Sequence, residues 1–209
     1  MTLQWVVMFA LPFIPLVALL IGLIRVAGAY DQKSREKAAD LLTTWSIHVS
    51  HEMRLARTFA ERLGDDQEIK KLATGLGFRI AEDNLPARAL AAQCLKKSLP
   101  QAANGFIAIS MEDSVLLDAL VADYLNLTES ILAAAFERVA HRRIIFDQFH
   151  YVAIDGNTRM LERYRRVVAE GGVNPYPYIT EFISIVERGE IQRARGYSLG
   201  TLPRRLLWR

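Results

Sequence analysis

Residues 5–24 run for 20 positions without one ionisable side chain, and past them the apolar residues recur at intervals of three and four almost to the end of the chain. A helix rises 1.5 Å per residue, so this first run is about 30 Å long, the thickness of a bilayer hydrocarbon core. It predicts a single membrane-spanning helix within an anchor of residues 1–30. Trp5 and Tyr30 stand where amphipathic rings favour the headgroup region, and Arg25 can extend its charge towards water. Pro12 and Pro15 predict a kink, which a bilayer helix accommodates when neighbouring groups satisfy the released carbonyls.

From residue 31 to 63 the positions Ala38, Leu42, Trp45, Val49, Ala56, Phe59 and Leu63 form one stripe, which predicts an amphipathic stalk helix continuing the anchor. Gly64 followed by Asp65-Asp66 marks a stop and a new start. Residues 64–190 then read as a helical domain, with a short helix to about Ala73, breakers at Gly75 and Gly77, and a helix capped by Asp83, with Pro86 in its first turn, to about Lys97. The short apolar run at 106–109 has no convincing strand partner and is expected to be buried extended chain. Ser110 caps the strongest helix, whose apolar period persists to about Val139. Further helices are expected at 142–152, 158–170 and 178–188, separated by Asp155-Gly156-Asn157 and by Gly171-Gly172 with the Pro175-Tyr176-Pro177 segment. The fold class is therefore all-α: one anchor, a stalk and a compact helical domain, with no internal repeat.

Charge adds an orientation. Only the α-amino group precedes the apolar run, whereas Arg25, Lys33, Arg35 and Lys37 follow it, and basic flanks stay cytoplasmic. The expected location is a bacterial cytoplasmic membrane, N-terminus outside and domain in the cytosol. The competing expectation is a cleaved signal peptide, because Ala27-Gly28-Ala29 has the form of a cleavage site, although a basic n-region is missing. Residues 191–209 carry five arginines and no acid, while the preceding 190 residues carry 21 basic and 23 acidic groups, so the basic balance belongs to the tail. Arg204, Arg205, Trp208 and Arg209 are candidates to rest on anionic lipid, the alternative being a tail packed on the domain or solvated. No nucleic-acid module accompanies the tail, which makes nucleic acid a poor fit as partner.

Candidate chemistry is sparse. The chain has no phosphate-cradling glycine loop, no Gly-x-Ser-x-Gly elbow and no His-Glu-x-x-His. Cys94 is the single cysteine, which excludes an intramolecular disulfide, and its apolar surroundings predict a buried thiol. His48 with His51, Asp147 with His150 and Glu137 with His141 have helical spacing, yet none forms a metal-ligand set, and no metal or cofactor is called for. More informative are Asp123, Asn126 and Glu129, three apart on an otherwise apolar helix. Such a strip needs partners, and His150, Arg159, Arg163, Arg165 and Arg166 are the candidates, either as an internal network or as walls of a ligand site.

Tyr124-Leu125-Asn126 with Glu129, then Phe136, Arg142-Arg143, Ile144-Ile145 and Phe146, then Arg159 to Arg165, and Tyr178 with Phe182, resemble the C-terminal pattern of a bacterial family known as domain of unknown function 4760. The resemblance implies one N-terminal membrane helix and a small helical cytosolic domain, and it brings no catalytic residue. Two functions follow as expectations. One is a non-catalytic, membrane-tethered helical module that binds a protein partner or a second copy, with Ala18-x-x-x-Gly22 as a packing face. The other is a membrane-anchored enzyme or small-ligand sensor built on Asp123, Asn126 and Glu129.

Overall fold

Helix α1, Phe13–His48, is a single rod of 36 residues, about 54 Å long. The computed structural model describes residues 13–81, 83–99, 101–102, 106–154 and 160–189, with side chains of α1 from residue 19 on. Among these residues the chain is mostly helical. After α1 come α2 (His51–Arg62), α3 (Asp66–Ala73), β1 (Phe78–Ala81), α4 (Leu85–Leu95), β2 (Gln101–Ala102), β3 (Phe106–Ile109), α5 (Met111–Phe136), α6 (Arg142–Ile154), α7 (Glu162–Ala169) and α8 (Pro177–Glu187).

Two sequence expectations change here. The stretch 31–63 is two helices and not one stalk: Val49 is buried, Ser50 turns to an extended conformation, and its hydroxyl accepts from Met53 N at 3.1 Å as a cap for α2. The apolar stripe is nevertheless used in full. Its first half docks α1 through Ala38 and Trp45, and its second half, Ala56, Phe59 and Leu63, enters the core as α2 packs on α4 and α5. The run 106–109 is also more than extended chain, since β3 pairs antiparallel with β1 (Phe78 opposite Ile109) and with β2, in the order β1-β3-β2. Phe78, Ile80, Ile107 and Ile109 alternate inward in the period of two that a half-buried sheet requires. Gly77 permits this pairing, because a Cβ there would stand 3.1 Å from the Ile109 carbonyl oxygen.

The ends of the elements follow their local chemistry. Asp65 and Glu68 form a reciprocal capping box on α3, and Ser110 accepts from Asp113 N at 3.1 Å on α5. At the far end of α2, Arg163 of α7 donates to the Leu63 and Gly64 carbonyls at 2.8 and 3.1 Å and to Asp66 at 2.8 Å, sealing the junction with α3. One continuous core results. Phe146, Phe149 and Phe182 meet Tyr124 and Trp45 at the end near α1, while Phe59, Ile69, Leu72 and Leu117 fill the end near the sheet.

Candidate functional site

The three residues of the polar strip separate in space, because a spacing of three turns each position by about 60° on a helix of 3.6 residues per turn. Asp123 and Asn126 are exposed and line an open groove of about 340 Å³ with His48, Met53, Leu127 and Ser130. Glu129 faces the other way. Its two carboxylate oxygens accept from Tyr178 N and Ile179 N, both at 2.8 Å, and so satisfy the first turn of α8 from across the bundle. Helix α8 needs this because its own N-cap, Tyr176, supplies no side-chain bond and Pro177 has no N–H. Burial pushes the Glu129 carboxyl above its usual range, opposed by the two amide donors and by nearby Arg165.

Of the candidate basic partners, Arg165 stands near Glu129, and Arg163 and Arg166 are engaged elsewhere. Arg165 is buried and donates to the Met160 carbonyl at 3.0 Å and to Thr180 Oγ1 at 2.8 Å, so it ties the left-handed Met160-Leu161 turn to α8. Arg163 belongs to the α2–α3 junction and Arg166 pairs with Glu162 at 3.2 Å on its own helix. Arg159 lies outside the described residues, as do Arg204, Arg205, Trp208 and Arg209 of the tail. What the strip supplies is a structural cap at Glu129 and a solvent-facing edge at Asp123 and Asn126.

The remaining pairs resolve into local contacts. His48 Nδ1 lies 2.8 Å from the Thr44 carbonyl oxygen, Asp147 faces Arg143 at 3.8 Å, and Glu137 accepts from the Tyr178 hydroxyl at 2.6 Å. Among the described residues no cluster of three His, Cys, Asp or Glu is placed to hold a metal. Cys94 is buried, its thiol 3.5 Å from the Glu52 carbonyl oxygen, and burial raises its pKa. A thiol held protonated in this way is a weak nucleophile.

The arrangement that sequence spacing did not reveal is a collar where α1 meets the turn between α5 and α6. Tyr30 donates through its hydroxyl to the Arg138 carbonyl at 2.8 Å, and His141 N donates to the Ser34 carbonyl at 2.9 Å. Asp31 lies 3.4 Å from His141 Nε2 and pairs with Arg35 at 2.9 Å. Burial lowers the His141 pKa, with Arg35 and Arg143 adding to the shift and Asp31 opposing it. Further along the same helix, Trp45 donates to Thr128 Oγ1 at 3.4 Å and meets Phe149 and Tyr124 edge-on. Moving from residue 30 to 45 on α1 therefore matches moving from 138 back to 124 on α5, so the two helices run antiparallel. The α5–α6 turn is the part of the domain placed towards the N-terminal segment of α1.

That segment has its own character. Leu19, Leu20, Ile21, Leu23, Ile24 and Val26 are 47–69% exposed, and successive helical positions spread them around most of the rod's circumference. Among the described residues no helix is long and apolar enough to cross a membrane, and residues 5–12 of the apolar run lie outside them. In comparisons with known proteins, no family model, no curated protein and no solved structure matches the chain.

Proposed function

We propose that the chain is a membrane-tethered helical interaction module, with residues 5–24 in the bilayer and the domain held at the membrane surface to engage a protein partner or a second copy. The observation that carries this proposal is the contrast along α1. Leu19, Leu20, Ile21, Leu23, Ile24 and Val26 offer apolar side chains on most sides with nothing among the described residues covering them, whereas Ser34, Ala38, Leu41, Leu42 and Trp45 of the same helix are covered by the domain. An apolar surface around most of a helix is expensive in water and favourable in lipid. Gly22 has open space on its Cβ side, which suits close approach of another helix in the bilayer. Basic residues after the apolar run support a cytosolic domain in a bacterial cytoplasmic membrane. The resemblance to domain of unknown function 4760 agrees with this organisation.

Alkaline extraction of membranes tests the anchor. The native chain is expected in the pellet, and Ile14→Arg combined with Val17→Arg, at roughly 3 kcal/mol for each charge near the middle of the span, is expected to move it to the supernatant. A native chain released by alkali would sink the proposal.

A further inference from the structure

Apart from buried Ala140, the α5–α6 turn faces outward, and it is held against α1 only 6 residues beyond Ile24, about 9 Å along the helix. Its residues Glu137, Arg138 and Val139 are exposed, as is Arg143 in the first turn of α6. Three Arg and one His fall within 138–143, with no acid among them.

We propose that this turn is a second membrane contact, in which Arg138 and Arg143 engage the phosphates of anionic lipid headgroups and Val139 lies at headgroup level. The proposal rests on the membrane placement of α1 given above.

Geometry and charge both favour this occupant. The antiparallel course of α1 and α5 puts the turn at the end of the domain nearest the apolar segment, and the headgroup layer adds several ångströms beyond the hydrocarbon on each side. The acidic groups at this end are engaged within the protein: Asp31 by Arg35 and His141, Glu36 by Gln32 at 2.9 Å, and Glu137 by Tyr178. Asp147 faces Arg143 at the long distance of 3.8 Å, which leaves the guanidinium able to serve a phosphate as well. Arg25 and Lys33 are also exposed on α1. Arg142 does not join them, because its guanidinium sits 4.8 Å from the ring centres of both Phe136 and Phe146.

Arg138 carries the decisive detail. Its φ is +60°, in the region that favours glycine, and Val139 N and Ala140 N both donate to the Ala134 carbonyl as α5 ends. Glycine would fit this backbone at lower cost than arginine, so Arg138→Gly removes the cation without harming the turn. That variant separates lipid contact from folding.

The test uses the full chain reconstituted in vesicles of phosphatidylcholine, with or without phosphatidylglycerol. Val139→Cys carries a nitrobenzoxadiazole probe, buried Cys94 being shielded from the reagent, and the quencher is a lipid spin-labelled on its headgroup. The proposal expects quenching that is strong with phosphatidylglycerol and weak without it. Each of Arg138→Gly and Arg143→Gln is expected to weaken the docked population by about fivefold. Quenching that ignores both lipid charge and the two substitutions would overturn the headgroup contact. So would an unquenched probe at 139 beside a probe at Leu20→Cys that acyl-chain spin labels do quench, an outcome that leaves the membrane helix intact. A probe at Leu20→Cys untouched by acyl-chain labels would remove the membrane placement and this contact together.

Discussion

Replacing Trp45 with alanine is expected to destabilise the fold by about 3 kcal/mol and to loosen the grip of the domain on α1. The indole fills the meeting point of three helices: it stands 5.1 Å from Phe149 of α6 and 6.4 Å from Tyr124 of α5, in edge-on geometry with both. Aromatic truncations in cores cost about 3–5 kcal/mol, and the lower figure applies because Trp45 is only half-buried. Its N–H also bonds to Thr128 Oγ1, a fully buried hydroxyl that additionally donates to the Tyr124 carbonyl. Loss of the indole therefore opens a cavity and removes one hydrogen-bond donor, with no buried group left wholly unpaired. Denaturant unfolding reads the total. Hydrogen exchange over residues 30–45 reads the location, with protection of these amides falling before that of α2 and α4. A variant within 1 kcal/mol of the native chain would show that α1 is held by something other than this contact.

The second large effect falls on Glu129. Glu129→Ala is expected to cost about 2 kcal/mol, because hydrogen bonds to a charged group are worth about 1.5–3 kcal/mol net and losing a helix N-cap costs about 0.5–2 kcal/mol. The two losses are the same event seen from two sides, so they do not add, and the partial exposure of Glu129 keeps the figure moderate. Glu129→Gln keeps one acceptor oxygen for one of the two amides and turns an NH2 group towards the other. About half the loss is expected to return. Amide exchange at Tyr178 and Ile179 should accelerate in both variants, more so with alanine. Unchanged exchange there would mean that α8 draws its first-turn stability from packing of Ile179 and Phe182 alone.

These two positions also mark how far the sequence could be followed. Helical spacing of apolar residues locates α3 to α8, three of which begin at a side-chain cap, Asp65, Asn84 and Ser110, while α7 starts at Glu162, later than the expected 158, because Met160 and Leu161 are left-handed. The break after His48 was harder to see because the stripe stays in phase across it; Val49 and Ala56 are both buried. Ser50 was the available signal, a good cap residue just before Glu52 in the first turn of α2. The sheet was obscured by distance, since β1 and β3 are four residues each and their pairing spans an entire helix. A strand of four residues has too little alternation to declare itself without its partner.

The polar strip was legible as a feature, and its division between a structural cap and an open edge was not. Spacing by three places Asp123 and Glu129 about 120° apart on α5, so one meets solvent and the other the start of α8. No sequence pattern linked Glu129 to the amides of Tyr178 and Ile179, 49 and 50 positions away. The collar of Tyr30, Ser34, Arg138 and His141 was invisible for the same reason: its contacts go through backbone carbonyls and an amide across more than 100 residues, and backbone groups leave no mark on residue type.

Protease protection of a C-terminal tag on the full chain, assayed in intact spheroplasts and again after the membrane is opened, tests the central claim most directly. A membrane-tethered module with its domain in the cytosol predicts a tag that survives external protease until the membrane is breached, on a chain that keeps residues 1–30. A tag digested from outside, or a chain shortened after Ala29, would contradict it.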